Sequence, residues 1–230
     1  MDVEAEGAEL DQALDAARGH GVPIKALAPG VIDKVADALA PQGCIACCRS
    51  VPSSLEGLAL RGPLMVLEDV RDPGNLGAVI RVADAAGFEA VLLAGTSTDP
   101  FGPKALRGST GSTFRMPVIE AGPLDDLLAT LAERGVATVG TSSHGGKDFA
   151  AIDWPAPMAL LFGNEASGLS SSALDVCSDL VMIPLADGVE SLNLAVSAGI
   201  LAFTVQRDLK GTVVPADGST MSAMEAGNDR

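Results

Sequence analysis

The sequence predicts an α/β fold in which a doubly wound parallel sheet is covered by helices. From residue 61 onward, short apolar runs alternate with stretches of helical periodicity, the pattern that parallel strands and crossover helices produce. The composition is that of an ordinary globular protein, because 47% of the residues are hydrophobic and 20% are charged. A chain of 230 residues is long enough for one large or two small domains with a buried core.

Each apolar run predicts one strand and each periodic stretch predicts one helix. The predicted strands are 63–69, 89–95, 115–121, 136–142, 158–164 and 179–185. The predicted helices are 75–86, 123–134, 170–176 and a final one at about 191–208. The final helix is apolar nearly all round and contains several small residues, so it is either a core helix or a subunit interface.

Residues 1–50 repeat this alternation on a smaller scale. A helix near 6–19 precedes the strand-like "VPIKAL", the helical "GVIDKVADAL" and the strand-like "GCIACCR". A segment of about 50 residues is marginal as an independent domain. Residues 51–62 contain the Pro and Ser signals of a linker. They lead into the main domain at 63–210, and 211–230 lack periodicity and are predicted to form a mobile tail.

The four cysteines are too few and too clustered for a disulfide framework. Cys44 and Cys47 have the spacing of half a zinc site, but no second such pair follows, and His20 and His144 stand alone. The favoured interpretation is that the cysteines are small apolar residues of a strand over "GCIACCRSV". We expect no bound metal.

Charge and hydropathy limit the classes of partner. The formal net charge of −15 argues against nonspecific binding to nucleic acid, but "KALRGSTGSTFR" at 104–115 has three basic residues and no acid. No apolar stretch approaches the roughly 18 residues of a membrane span. The start, "MDVEAEGAELDQ", is acidic where a signal peptide is basic. The sequence therefore predicts a cytoplasmic protein.

Three polar loops follow predicted strands at the edge where open α/β sheets bind ligands: "RDPGN" at 71–75, "GNEASG" at 163–168 and "ADGVESLN" at 186–193. No GxxxxGK[ST] occurs, and Gly74 and Gly77 do not complete a GxGxxG fingerprint. GxSxG and HExxH are also missing. A phosphate loop, a serine hydrolase and a zinc protease therefore lose their usual sequence support.

The residues of these loops favour a nucleoside without phosphates. Glu165 and Glu190 would repel a polyphosphate but accept hydrogen bonds from ribose hydroxyls. Gly163 and Gly168 would allow a flat ligand to approach the backbone closely, although "GNEASG" is equally explained as a cap of the next helix.

Two residues of the first loop and its helix have competing interpretations. Asn75 is explained most simply as an N-cap. Arg81 follows Leu76 and Ile80, which predicts a largely apolar helix face where a charge needs a partner.

Together, "DPGNLGAVIRVADAAGF", "LLFGNEASGLS" and "IPLADGVESLNLAVSAGILAF" resemble, in order and spacing, the three motifs of the SpoU (TrmH) branch of the SPOUT RNA methyltransferases. The match covers roughly 61–208, and three ordered motifs are far more specific than one. The resemblance implies a SPOUT-type domain with a C-terminal deep trefoil knot, a homodimer, and S-adenosylmethionine as methyl donor. The acceptor it implies is a ribose 2′-hydroxyl of rRNA, foremost of the large subunit, or of tRNA.

The resemblance also implies roles for individual residues. The catalytic set would be Asn75, Arg81, Glu165, Ser191 and Asn193. The cofactor would be surrounded by Thr141, Gly163, Asn164, Ile183, Leu185, Ser191, Leu192 and Asn193. RNA phosphates would be bound by Arg107, with Lys104 and Arg115 in the same basic segment.

The N-terminal "GVPIKALAPGVIDKVADALAPQGCIACC" is similar to the end of the family's small RNA-binding domain, which has a ribosomal-protein-like fold. The beginning of that domain has no recognisable counterpart. We expect either a truncated domain or one whose start has diverged.

The family mechanism makes Arg81 a base, yet a guanidinium has a pKa above about 12 and normally stays protonated. We therefore expect Arg81 to orient the ribose or its adjacent phosphate and to stabilise developing negative charge. The main alternative is a SPOUT fold that binds RNA or a partner without catalysis. A dinucleotide oxidoreductase is weaker, because its glycine fingerprint is missing.

Overall fold

The structure is a computed structural model that describes residues 3–36, 43–49 and 53–212. It divides into two compact units, Met1–Arg49 and Ser50–Arg230. Residues 37–42, 50–52 and 213–230 lie outside the described part, and with them the end of the helix predicted over "GVIDKVADAL", the start of the linker and most of the predicted tail.

The first unit contains the helices α1 (Val3–Gly19) and α2 (Val31–Val35). The strands expected over "VPIKAL" and "GCIACCR" are wrong, since described residues 22–27 and 44–49 form no strand, and Cys44, Cys47 and Cys48 are exposed. The physical reason is that α2 buries none of its residues, so the unit offers no packed surface on which a strand could lie.

The second unit is built on a seven-stranded sheet in which every paired neighbour is parallel. The strands are β1 (Leu64–Glu68), β2 (Ala90–Ala94), β3 (Val118–Gly122), β4 (Ala137–Thr141), β5 (Lys147–Asp148), β6 (Met158–Phe162) and β7 (Asp179–Met182). Their order across the sheet is β3-β2-β1-β6-β4-β7-β5. This confirms the predicted α/β class, while the two-residue β5 was not predicted.

Helices cover both faces of the sheet. They are α3 (Pro73–Ala85), α4 (Pro103–Ser109), α5 (Leu124–Glu133), α6 (Ser171–Val176) and α7 (Leu194–Thr212). Every residue of the central strands β1, β2 and β6 is buried, so consecutive side chains enter opposite cores. Met65 and Leu67 pack with α3 and α7, whereas Leu64 and Val66 pack with α5 and α6.

The close crossing of α3 and α4 requires glycine. A Cβ added to Gly77 would overlap the carbonyl oxygen of Ala105 and lie 2.9 Å from Gly108 Cα. Gly77 is therefore needed for helix packing rather than for approach to a ligand. The sequence did not predict α4, because seven residues starting at Pro103 are helical mainly through this packing on α3.

The strand order brings four loops to one edge of the sheet. Strands β1, β2 and β3 follow one another from the centre of the sheet to one edge. On the other side of β1 lies β6, and β4 lies next to β6. The carboxyl ends of β1, β4, β6 and β7 therefore meet where the direction of winding changes, which is the usual ligand position in such sheets.

Candidate active site

A cavity of about 620 Å³ lies at this edge, between the loops that follow β4, β6 and β7 and the start of α3. It brings together every residue for which the sequence implied a cofactor contact. These lining residues are Thr141, Gly163, Asn164, Ile183, Leu185, Ser191, Leu192 and Asn193. Asn75 and Glu165, from the implied catalytic set, line the same cavity.

Asn75 is not the N-cap of α3. That position belongs to Asp72, whose Oδ1 accepts from the Asn75 amide at 2.9 Å. The Asn75 side chain is thus available for contacts across the cavity. Its Nδ2 donates to Glu165 Oε1 at 3.2 Å, and its Oδ1 accepts from Asn193 Nδ2 at 2.9 Å. One amide therefore links the start of α3 to both later loops.

Glu165 mainly accepts hydrogen bonds from residues at the start of α3. Besides Asn75, it accepts from the backbone amides of Asp72 at 3.2 Å and Arg71 at 3.3 Å. Burial alone would raise the pKa of Glu165, but hydrogen bonds from its own amide, Asn75, Asp72 and Arg71 outweigh burial and lower that pKa below its ordinary value. The carboxylate is thus held ionised with its oxygens engaged.

Asn164 fixes the shape of the second loop. Its amide and carbonyl pair with Gly168 at 3.1 and 2.9 Å, and its Nδ2 donates to the carbonyl of Asp69 at 2.8 Å. A Cβ on Gly163 would overlap the backbone of Gly168, so this glycine is required for the turn itself. The alternative that this loop caps α6 is wrong, because the N-cap is Ser170.

The Asn193 side chain, in the loop that follows β7, both donates and accepts hydrogen bonds. Besides its Nδ2 contact with Asn75, its Oδ1 accepts from the amides of Ala195 at 2.9 Å and Val196 at 3.4 Å. The side chain therefore satisfies amides in the first turn of α7 and ties that turn to α3.

The cavity also contains residues that the sequence did not single out. The loop after β4 adds Ser142, Ser143 and His144. Ser142 Oγ donates to the His144 carbonyl at 2.7 Å, and Ser143 Oγ lies 2.9 Å from His144 Nδ1. The sequence signal that could have indicated this loop is the polar run "TSSHGG", which directly follows an apolar strand. In the structure, Gly145 and Gly146 of this run adopt positive φ angles.

The charges around the cavity are acidic. Among the described residues that line it, Glu165 and Glu190 are the carboxylates, and none is Lys or Arg. The described residues also contain no cluster of three or more His, Cys, Asp or Glu side chains that could hold a metal ion.

Arg81 lies outside the cavity lining and is exposed. Its Nη1 donates to Thr110 Oγ1 at 3.5 Å. The expectation that Arg81 lies on an apolar face is wrong, because the helical period directs Leu76, Val79, Ile80 and Ala83 toward the core and Arg81 away from it. Adjacent positions in the sequence lie on different helix faces.

The basic segment lies along α3. Lys104 Nζ is 3.0 Å from Asp72 Oδ2 near the start of that helix, and Arg115 Nη2 is 2.8 Å from Asp84 Oδ2 near its end. Arg107 is exposed on the last turn of α4. None of these three bases is among the residues that line the cavity, and two of them pair with carboxylates of the helix that carries Arg81.

The fold and this site define a parallel α/β protein with an acidic, nucleoside-sized cavity at the switch point of its sheet. The model of the SpoU rRNA Methylase family matches residues 63–203. The chain belongs to this family.

Similar proteins agree with that assignment. The chain is 35% identical, over 80% of its own length and 72% of the relative's, to the 23S rRNA (guanosine(2553)-2′-O)-methyltransferase RlmP of Bacillus subtilis. An AdoMet-bound rRNA methyltransferase from Sinorhizobium meliloti superposes with a TM-score of 0.66 at 37% identity, covering 69% of this chain and 62% of that one. Another structure of an rRNA methyltransferase from that organism gives 0.80 at 33% identity, covering 88% and 78%.

The curated relatives are longer than the matched region. The chain spans between 49% and 72% of their lengths. No helix among the described residues is both long and apolar enough to cross a membrane.

Proposed function

We propose that this protein transfers a methyl group from S-adenosylmethionine to a ribose 2′-hydroxyl of RNA, foremost of large-subunit rRNA and otherwise of tRNA. The observation that carries the proposal is the convergence of three family motifs on one cavity through the Asn75 side chain. RlmP supports the choice of rRNA because its name describes 2′-O-methylation of 23S rRNA.

The chemistry of the cavity fits this cofactor. Its carboxylates and its lack of Lys or Arg among the described lining residues disfavour a polyphosphate and suit a cationic sulfonium nucleoside. Ile183, Leu185 and Leu192 would contact its apolar surface, and the turn at Gly163 and Asn164 would present backbone groups to it. When bound, the cofactor supplies an electrophilic methyl group.

The protein's part in the reaction is positioning. The 2′-oxygen forms a bond to the methyl carbon as the carbon–sulfur bond breaks, and the hydroxyl proton passes to solvent. Holding the oxygen in line with the methyl group can supply several kcal/mol of the barrier, on the order of that measured for oriented intramolecular reactions. Asn75, Glu165 and Asn193 fix the loops that define this line of approach, and Ser191 lies beside them on the cavity wall.

Arg81 would serve the same reaction from the protein surface. It lies six positions after Asn75, which corresponds to about 9 Å along α3. Its charged guanidinium would bind the ribose-phosphate next to the reacting nucleotide and offset negative charge that develops on the oxygen.

A homodimer would complete the site. On α7, Val196 and Phe203 are about half exposed, and Gly199 between them has open space beside its Cα. Because α3 packs beside α7, a dimer formed through this face would bring Arg81 of one protomer toward the cavity of the other.

The proposal also includes a knotted C-terminal region, a role for the N-terminal unit and a cellular location. A C-terminal trefoil knot is supported by the position of β7 between β4 and β5, two strands that residues 142–146 join directly. The N-terminal unit would contribute RNA contacts as a partial substrate-binding domain. We place the activity in the cytoplasm, where such RNA substrates occur.

The test uses the full chain with labelled S-adenosylmethionine and unmodified rRNA or tRNA. We expect label in 2′-O-methylnucleosides after nuclease digestion, and cofactor binding by calorimetry. Binding of the cofactor without transfer to any of these RNAs would contradict the assignment and favour a non-catalytic RNA-binding protein.

A further inference from the structure

Phe114 is an aromatic side chain that the fold holds out in solvent. It is 63% exposed, the largest value among the large hydrophobic residues in the described part of the second unit. By contrast, Phe88 and Phe162 are buried. A single exposed ring is common on protein surfaces, so its meaning depends on the side chains that surround it.

The backbone around Phe114 is anchored. Residues Ser112–Phe114 form a single 3-10 turn that starts from Gly111, where φ is +84°. Ser112 and Thr113 are buried, and the Phe114 amide donates to the Gly111 carbonyl at 3.1 Å. With its preceding neighbours directed inward, Phe114 projects outward from an ordered turn.

Phe114 belongs to a segment that carries several bases. Arg115, the next residue, is held by Asp84 and by Ser112 Oγ, to which its Nη2 donates at 2.8 Å. Thr110, which directly precedes Gly111, accepts from Arg81. Lys104 and Arg107 are the other bases of a segment that has no acid between 104 and 115. With Arg81, these bases outnumber the carboxylates Asp72 and Asp84 that pair with two of them, so this surface is a local exception in a chain of net charge −15 and favours a polyanion.

An aromatic ring among bases matches the recognition of unpaired nucleotides. Proteins bind single-stranded RNA by stacking its bases on aromatic rings while basic side chains contact the phosphates. We propose that Phe114 is a stacking subsite for one unpaired base of the RNA substrate, adjacent to the nucleotide that Arg81 contacts. This inference rests on the proposed function and adds to it that the substrate presents a single-stranded segment.

The experiment uses the full chain and two labelled probes of about twelve nucleotides, an oligoadenylate and a ribose-phosphate oligomer without bases. Phe114→Ala and Phe114→Leu remove the ring, and Phe114→Trp keeps an aromatic surface. Because the chain has one tryptophan, the buried Trp154, and no tyrosine, the new indole also reports stacking through its fluorescence.

We expect Phe114→Ala and Phe114→Leu to bind oligoadenylate about 5- to 150-fold more weakly, the range of an alanine substitution at a stacking ring. The dependence of binding on salt should be unchanged, since no phosphate contact is lost. Phe114→Trp should bind like the wild type, and oligoadenylate should quench its fluorescence whereas the baseless oligomer should not.

The subsite would be overturned if the wild type did not bind oligoadenylate, or if Phe114→Ala or Phe114→Leu bound it with wild-type affinity. A change of mass by light scattering in Phe114→Ala would also overturn it, because the ring would then be a protein contact. Methyl transfer to unmodified rRNA separates the two proposals. Transfer with an unchanged KM in Phe114→Ala rejects the subsite alone. Stacking without transfer by the wild type rejects the proposed activity alone.

Discussion

The side chains of Asn75 and Glu165 are joined by a hydrogen bond of 3.2 Å across 90 residues of sequence. The same amide accepts from Asn193, so the first turn of α3, the loop after β6 and the start of α7 are held by one side chain. In the proposed reaction this arrangement gives Glu165 a positioning role, since its oxygens accept from Asn75 and from two backbone amides.

Asn75→Asp should reduce kcat about 100-fold, the effect of a small misplacement of reacting groups. The new carboxylate cannot donate to Glu165 and repels it. Asn75→Asp combined with Glu165→Gln should recover part of the loss, because the glutamine amide can donate to the aspartate. Single-turnover transfer rates for the two single variants and the double variant form the measurement. Equal loss in Asn75→Asp and in the double variant would show that the bond is unimportant.

The sequence was sufficient for much of this site but not for its connections. The carboxyl ends of apolar strands indicate where ligand loops meet, so Gly163, Asn164 and Asn193 were placed correctly at one cavity. The partners of Asn75 were not predictable, because Asp72 and Asn75 are both good N-cap residues and only the backbone geometry selects Asp72.

The two elements that the sequence did not predict, α4 and β5, depend on tertiary packing. Helix α4 forms against Gly77, and β5 is two residues paired to β7, so neither has a periodic pattern long enough to detect. Conversely, the apolar "GCIACCR" has the composition of a strand, but the described residues of the first unit contain no strand with which it could pair.

Arg81→Ala should abolish methyl transfer while the calorimetric affinity for S-adenosylmethionine stays within a few fold. The reason is that Arg81 lies outside the cavity lining. Arg61→Ala, at another exposed arginine, is the matched control and should retain activity. Full activity of Arg81→Ala would remove this residue from the mechanism.

The same variant tests whether the site spans two protomers. Mixing Arg81→Ala with Asn75→Asp and allowing subunits to exchange should restore about a quarter of wild-type activity, since half the dimers are mixed and each has one intact site. If Asn75 and Arg81 of one protomer act together, no mixed dimer contains an intact pair and activity stays absent.

Gly199→Glu should prevent formation of the proposed dimer without unfolding the protomer. A Cβ at this position meets no atom within 4 Å, so the protomer accepts the side chain, but a charge between Val196 and Phe203 opposes burial of this face. Light scattering measures the mass, and Gly199→Ala controls for loss of glycine. Unchanged mass in Gly199→Glu would place the interface elsewhere.

Gly77→Ala should destabilise the domain by about 1–3 kcal/mol or more, because its Cβ would collide with α4 backbone. Gly199→Ala is again a suitable comparison, since it adds the same methyl group to a helix in open space, where alanine is favoured by about 0.5–1 kcal/mol. Urea unfolding of both variants gives the two free energies, and similar values would contradict the close crossing of α3 and α4.

The stability of the domain should fall in acid partly through Glu89. Its carboxylate accepts from the amides of Leu60, Arg61 and Gly62 at 2.7 to 2.8 Å. Burial alone would raise the pKa of Glu89, but these amides outweigh burial and lower that pKa below its ordinary value. A carboxyl group with a lowered pKa in the folded state stabilises above its unfolded pKa, and this contribution is lost as the pH falls through the folded pKa.

Glu89→Gln should therefore lower the free energy of unfolding by about 1–3 kcal/mol at neutral pH, the cost of replacing a charged acceptor of backbone amides. Below about pH 4 the difference between wild type and variant should shrink, because the unfolded wild-type chain takes up a proton at its ordinary pKa and the folded carboxylate follows as the pH falls through its lowered pKa. Urea unfolding at a series of pH values measures the difference, and Glu133→Gln at the exposed end of α5 is the control. A difference that is constant from neutral to acidic pH would show that the charge of Glu89 is not what holds residues 60–62.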